Sequence, residues 1–279
     1  MLDPQLHALV RAYGARTAAI RAQTEAFVTD VWQASGSWHR GDITRIARTV
    51  APVTEAAQHR MAALTDLYLA QVETFHSGRV VPPRGVTAGE VTSQALRGVD
   101  AVELFERTGP TVGSALAKGD TVARASGKGL QRLQKMVAAN LQLSKTRTSR
   151  RVLLDSGDRV VGYRRVLNGP VNCGLCVVAS TQRYRRGDLL PIHAGCDCSV
   201  LPIHGDQDPG WVIDEDQLDS VHAAIEERFG AHTRSAGEFR TPHDEALHYR
   251  DLLVVNEHGE LGPVLGVRGQ DFTAAADLA

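Results

Sequence analysis

All four cysteines of the 279-residue chain lie in one segment, CGLCVVASTQRYRRGDLLPIHAGCDC, from Cys173 to Cys198. Cys173 and Cys176 are spaced C-x₂-C, and Gly174 between them lets the backbone fold tightly enough for both sulfurs to face one point. Sixteen residues separate Cys176 from His193, and then come Cys196 and Cys198. C-x₂-C followed by H-x₂-C supplies four soft donors, which is what a closed tetrahedral zinc site needs. The spacing favours Cys173, Cys176, His193 and Cys196, with Cys198 able to replace either of the last two. Four of these five residues are the expected ligands of a structural Zn²⁺.

Other chemistries compete for the same residues. A disulfide between the pairs would suit a particle that later meets an oxidising medium. Four unliganded buried thiols would behave as small apolar groups. A catalytic Cys–His pair needs an electropositive, exposed thiolate and an orienting partner. Two zinc-enzyme patterns fail. Nucleobase deaminases place H-x-E before P-C-x-x-C, whereas His243–Glu245 follows the cysteines and Asn172 stands where the proline belongs. HDEALH (243–248) spaces its histidines five apart, about 140° around a helix, so one face cannot present both to a metal. A treble-clef nuclease would need a further catalytic metal set, for which His204 is the one nearby hint. No P-loop pattern G-x₄-G-K-[ST] occurs, and GKGLQR (127–132) is a basic helix segment with no strand leading into it.

Length and composition set the frame. Apolar residues make up 43 % and charged residues 23 %, which are ordinary globular values. No run is long and apolar enough for a membrane span, and the first residues lack the pattern of a cleaved leader. Four cysteines are too few for a disulfide scaffold, so folding in a reducing cytoplasm is expected. The net charge of −1 hides an asymmetry: residues 1–150 carry 19 Lys/Arg and 12 Asp/Glu, residues 151–279 carry 12 and 20.

The N-terminal half reads as helical. Leu6, Leu9, Val10, Tyr13, Ile20, Phe27 and Val31 place one face on a helix over 4–34. Over 42–77, Ile43, Ile46, Val50, Val53, Ala57, Met61, Leu64, Tyr68, Gln71 and Phe75 keep a stripe for about nine turns. Asp42 is the expected N-cap, and Pro52 should kink or restart the helix. The stripe calls for a neighbouring helix, either in the same chain or in another subunit. A Pro/Gly-rich loop covers 78–90; helices follow over 91–117, with a break near Gly109–Pro110, and over 120–145.

On that last helix Arg124, Lys128, Arg132 and Lys135 fall within about 80° of one another, opposite Leu130, Leu133, Val137 and Leu141. They form either a face for an acidic partner or nucleic acid, or a solvated outer face. No aromatic residue is interleaved for base stacking.

After residue 150 the pattern turns to short β-branched runs and turns: RVLLDSGDRVVGYRRVLNG, then an acidic stretch with Asp206, Asp208, Asp214, Glu215, Asp216 and Asp219. A helix is expected over 215–229, and two strands over 251–267. The expected fold class is therefore α+β: a helical domain over 1–148, a small mixed α/β domain over 149–267 around the Cys/His cluster, and a flexible tail over 268–279.

The strings YRRVLNGPVNCGLC and LLPIHAGCDCSVLPI, with VVNEHGELGPVLGV further on, resemble the Mu F-like phage head morphogenesis proteins of actinobacterial tailed phages. The resemblance covers about 150–267 and is only architectural before that. Relatives often carry Pro-Asn or Pro-Gly after the histidine and Arg between the last two cysteines, where this chain has Ala194-Gly195 and Asp197. The resemblance implies a non-enzymatic minor capsid protein inside the virion, assembled in the host cytoplasm. Its implied partners are the portal protein, the scaffold, the major capsid protein and packaged DNA, with no small-molecule substrate.

Overall fold

The computed structural model describes residues 3–167, 176, 179–180, 182–191, 196, 198–205, 207–208 and 223, and short strands within 232–267. Of the expected features, Cys173, His193, most of the 215–229 helix, most of the acidic stretch and the 268–279 tail lie outside the described residues.

The class is α+β. Six helices fill the first half: α1 (Pro4–Gln33), α2 (Arg40–Ser77), α3 (Ser93–Arg97), α4 (Ala101–Glu106), α5 (Thr108–Ala117) and α6 (Val122–Asp155). The strands are β1 (Val160–Val166), β2 (Arg183–Arg185), β3 (Ser199–His204), β4 (His232–Thr233), β5 (Glu238–Arg240), β6 (Ala246–His248), β7 (Leu253–His258) and β8 (Gly262–Val267). They form antiparallel sheets ordered β2-β1-β3 and β4-β5-β6, and a β7–β8 hairpin.

Local chemistry sets the helix ends. The Asp3 carboxylate accepts from the amides of Gln5 and Leu6, and Pro4 takes the first turn, where its missing N–H costs nothing. His39, not Asp42, precedes α2; Asp42 lies in the first turn, where a negative charge favours the helix dipole and accepts from Ser37. Pro52 does not interrupt α2. It lies on the solvent side, where a lost backbone bond is least costly. Gly78 stops the helix at φ 65°. The expected break at Gly109–Pro110 instead falls at Gly98 and Arg107, because Pro110 fits the first turn of α5. α6 runs ten residues beyond the expected end, so RVLLD (151–155) is helix rather than strand, and the division at 148 falls inside α6.

The long α2 stripe is consumed within the chain. Ile43, Ile46, Val50, Ala57 and Met61 join Val28 and Trp32 of α1, Leu104, Phe105 and Val112, and Leu133, Met136, Val137 and Leu141 of α6 in one core. Gly129 makes this packing possible: a Cβ there would meet Val112 Cγ2 at 2.5 Å and the Trp32 ring at 2.6 Å. The ends of the helices share a second core with the sheet. Leu6, Val10, Tyr13, Tyr68, Leu69 and Val72 pack with Tyr163, Val166, Leu189, Val200 and Leu201. Tyr13 and Tyr68 stack at 4.1 Å, and the Tyr68 hydroxyl donates to the Val200 carbonyl of β3.

The 78–90 loop is tied back onto α2. Buried Asp66 accepts from the amides of Arg84 and Gly85 at 3.1 and 2.7 Å. Arg84 reaches Glu73 and Ser156, and Arg159 reaches Glu73 at 3.0 Å.

Candidate metal centre

β1 and β3 pair with Arg165 opposite Val200 and Val166 opposite Ser199. That register brings Cys198, just before β3, beside the β1 residue Arg165. Three thiols meet there: Cys176 Sγ lies 3.2 Å from Cys196 Sγ, which lies 2.9 Å from Cys198 Sγ. All three are buried, and their sulfurs lie within 4.8 Å of one another. Ala179 joins them in a small apolar cluster against Leu167, Tyr184 and Leu265. Leu265 arrives on β8, whose backbone N–H donates to the Pro191 carbonyl.

Both Cys196 and Cys198 therefore belong to the cluster. The expected set had taken Cys196 and held Cys198 as a substitute; the short Cys-x-Cys link lets both sulfurs turn inward. Cys173 and His193 lie outside the described residues. Three buried soft donors lie close enough together to hold one metal ion.

The surroundings are cationic. Arg165 is 3 % exposed; its Nη1 donates to Cys198 Sγ at 3.6 Å and its Nη2 to the Leu190 carbonyl at 2.5 Å. Its guanidinium lies over the Tyr184 ring at 5.5 Å, and Tyr184 stacks on Tyr163. Lys145 of α6 is also buried, beside Cys196. Hydrogen bonds from Cys176 and then Cys196 hold the Cys198 thiol well below the ordinary range against burial, and Arg165 and Lys145 add to the effect. For Cys196 the bond to Cys176 pulls down, but the bond to Cys198 and burial outweigh it and push that thiol up. Burial pulls the Arg165 pKa down, yet Cys198, Tyr163, Tyr184 and Cys196 together outweigh it, so Arg165 stays charged.

Among the described residues, the cavity beside Cys196, lined by Thr17, Met61, Gln142 and Lys145 among others, is about 20 Å³, room for about one water.

Neither Arg165 nor Lys145 stood out in the sequence. The signal was the pair Arg164–Arg165 inside a strand: the two must face opposite ways, and each needs an anion if buried. Arg164 finds Asp208, at 2.5 and 2.7 Å. His204, the one nuclease hint, stacks on His76 at 4.4 Å and is not part of the thiol group.

The basic helix face stands apart from the thiols. Arg124, Lys128 and Lys135 are exposed and Arg132 half-buried, with Leu133, Val137 and Leu141 turned into the core. Asp120 pairs with Lys128 at 2.5 Å and Arg124 at 3.4 Å. Lys128 and Arg132 also line an open groove against α5, with Arg107, Lys118, Thr111 and Ser114.

No family model, curated protein or solved structure matches this chain. No helix among the described residues is long and apolar enough to cross a membrane.

Proposed function

We propose that this chain is a non-enzymatic minor capsid protein of a tailed phage, acting in head morphogenesis beside the portal, with a C-terminal module stapled by a structural zinc. The phage assignment rests on the resemblance of 150–267 to the Mu F-like head proteins. The observation that favours a structural over a catalytic role is the burial of the thiol cluster: three buried sulfurs, a cation against them and, among the described residues, a cavity of about 20 Å³ beside Cys196. A catalytic zinc keeps an open position that substrate can reach.

In this reading the helical body and the sheet act as one unit, because Tyr13, Tyr68 and Val72 share a core with β1 and β3. The zinc fastens the segments around β3 and the β7–β8 hairpin to that unit. The surface for portal, scaffold or major capsid protein lies elsewhere than the α2 stripe, which the chain itself covers.

Native mass spectrometry beside a thiol count on the denatured chain tests the metal. One zinc and four titratable thiols are expected; no zinc with no free thiols would replace the staple by disulfides. Co-purification with the cognate portal protein tests the assembly role, and a failure to bind portal, scaffold or procapsid would remove it.

A second reading has an observation of its own. The α5–α6 groove gathers Arg107, Lys118, Lys128 and Arg132, which suits an anionic partner such as packaged DNA. It requires an affinity for duplex DNA that falls steeply with salt and is lost on combined Arg124, Lys128, Arg132 and Lys135→Ala. A shallow salt slope would reject it.

A further inference from the structure

Arg165 is the buried cation whose counter-charge decides the state of the cysteines. Among the described residues no carboxylate pairs with it. Among the described residues its contacts are the Leu190 carbonyl, the Tyr163 and Tyr184 side chains and Cys198, and of these Cys198 is the group that most readily carries negative charge. A buried guanidinium without an anion is strongly disfavoured. Neutral thiols give it none, and neither does a disulfide. Thiolates on a divalent ion leave a net negative charge, −1 for three and −2 for four, which buried cations beside them offset.

We propose that Arg165 is the outer-sphere partner of a zinc–thiolate centre: it donates to Cys198 Sγ, fixes that sulfur as a ligand, and makes the assembled centre a net anion matched by the protein. The inference rests on the zinc reading above and adds a residue no ligand-spacing rule finds. Fold register places the group. Arg165 is opposite Val200, so any chain that pairs β1 with β3 in this way sets the guanidinium against Cys198. Tyr184 on β2 holds its plane from the other side. Lys145 brings a second positive charge from α6, on the Cys196 side.

Arg165 is a positioning residue here, since it touches a ligand and not the metal. Outer-sphere partners of this kind typically change metal affinity by about 10–100-fold. The full-length chain is loaded with Zn²⁺, and its affinity is measured by competition with a chromophoric chelator. Co²⁺ replaces zinc in parallel, and the sulfur-to-cobalt charge-transfer band is recorded. Arg165→Met is expected to weaken zinc binding by about 10–100-fold and to move the band to longer wavelength, because the Cys198 sulfur loses its donor and its neighbouring charge. Arg165→Lys should recover part of both. Should Arg165→Met fold poorly by circular dichroism, Arg165→Gln keeps a donor for the Leu190 carbonyl while removing the charge, and the same loss is expected. Zinc affinity within twofold of the parent and an unmoved band would overturn the assignment while leaving the zinc staple standing. A parent chain that takes up neither zinc nor cobalt would overturn both.

Discussion

Gly129 and Gly127 sit two residues apart on α6, and replacing each with alanine should move stability in opposite directions. In a helix interior, alanine is favoured over glycine by about 1 kcal/mol. At Gly127 a new Cβ meets nothing within 4 Å, so that gain should appear nearly whole. At Gly129 the Cβ would lie 2.5 Å from Val112 Cγ2 and 2.6 and 2.7 Å from two atoms of the Trp32 ring. Trp32 is 1 % exposed and its indole nitrogen donates to Ser126, so the ring has nowhere to retreat. Overpacking of this kind costs about 1–3 kcal/mol, and a rigid ring puts it at the upper end. The net effect is a gain of about 1 kcal/mol for Gly127→Ala and a loss of about 2 kcal/mol for Gly129→Ala. For a chain of this size that is a Tm rise of about 2–4 °C against a fall of about 4–8 °C. Urea unfolding followed by Trp fluorescence reads the difference directly, and Gly129→Ala should also shift the emission of the displaced Trp32. Equal midpoints for the two variants would refute the claim that α1, α5 and α6 meet at this glycine.

Three further outcomes are expected. Stripping metal with a strong chelator should loosen the β3 and β7–β8 region while leaving most helical signal, because the first core is built from residues 20–141 alone; collapse of the far-UV helical spectrum would contradict this. Asp66→Asn sets an amide against the N–H of Arg84 or Gly85 and should cost about 1–3 kcal/mol, with new protease cleavage within 79–86; an unchanged digestion pattern would count against the loop being held there. His204 has its pKa lowered to about 4 by burial, then by His76 and Arg159 against the opposing pull of Glu73. The unfolded chain therefore takes a proton first, and stability should fall as pH drops from about 6.5 to about 4. The ring is partly open to water and its charge is screened, so the loss is about 1–2 kcal/mol. His204→Phe should flatten that part of the profile, and an unchanged acid limb would reject the cause.

The helical half was legible because its physics is local. Stripes at 43–75 and 130–141 have the helical period, and the Pro/Gly-rich run that begins near Gly78 marks the end of α2 within a turn. Where local rules competed, the reading slipped: Asp42 stabilises the first turn of α2 instead of capping it, and RVLLD continues α6 although its β-branched start looked strand-like. The true inner line of α1, through Thr17, Thr24 and Trp32, mixes polar and apolar residues and so escaped a purely hydrophobic stripe.

The sequence by itself determined that the cysteines crowd into one short segment, and three of them, Cys176, Cys196 and Cys198, do meet. Their spacing can be read without coordinates, because a short loop confines where two sulfurs can go. Tertiary structure decided the rest. It placed Cys198 inside the cluster, which depends on how β3 pairs with β1, and it turned the α2 stripe inward. It also brought Arg165 and Lys145, 20 residues apart in sequence and on different elements, to the same thiols. Charge balance in a buried site is a property of three-dimensional neighbours, and no pattern along the chain records it.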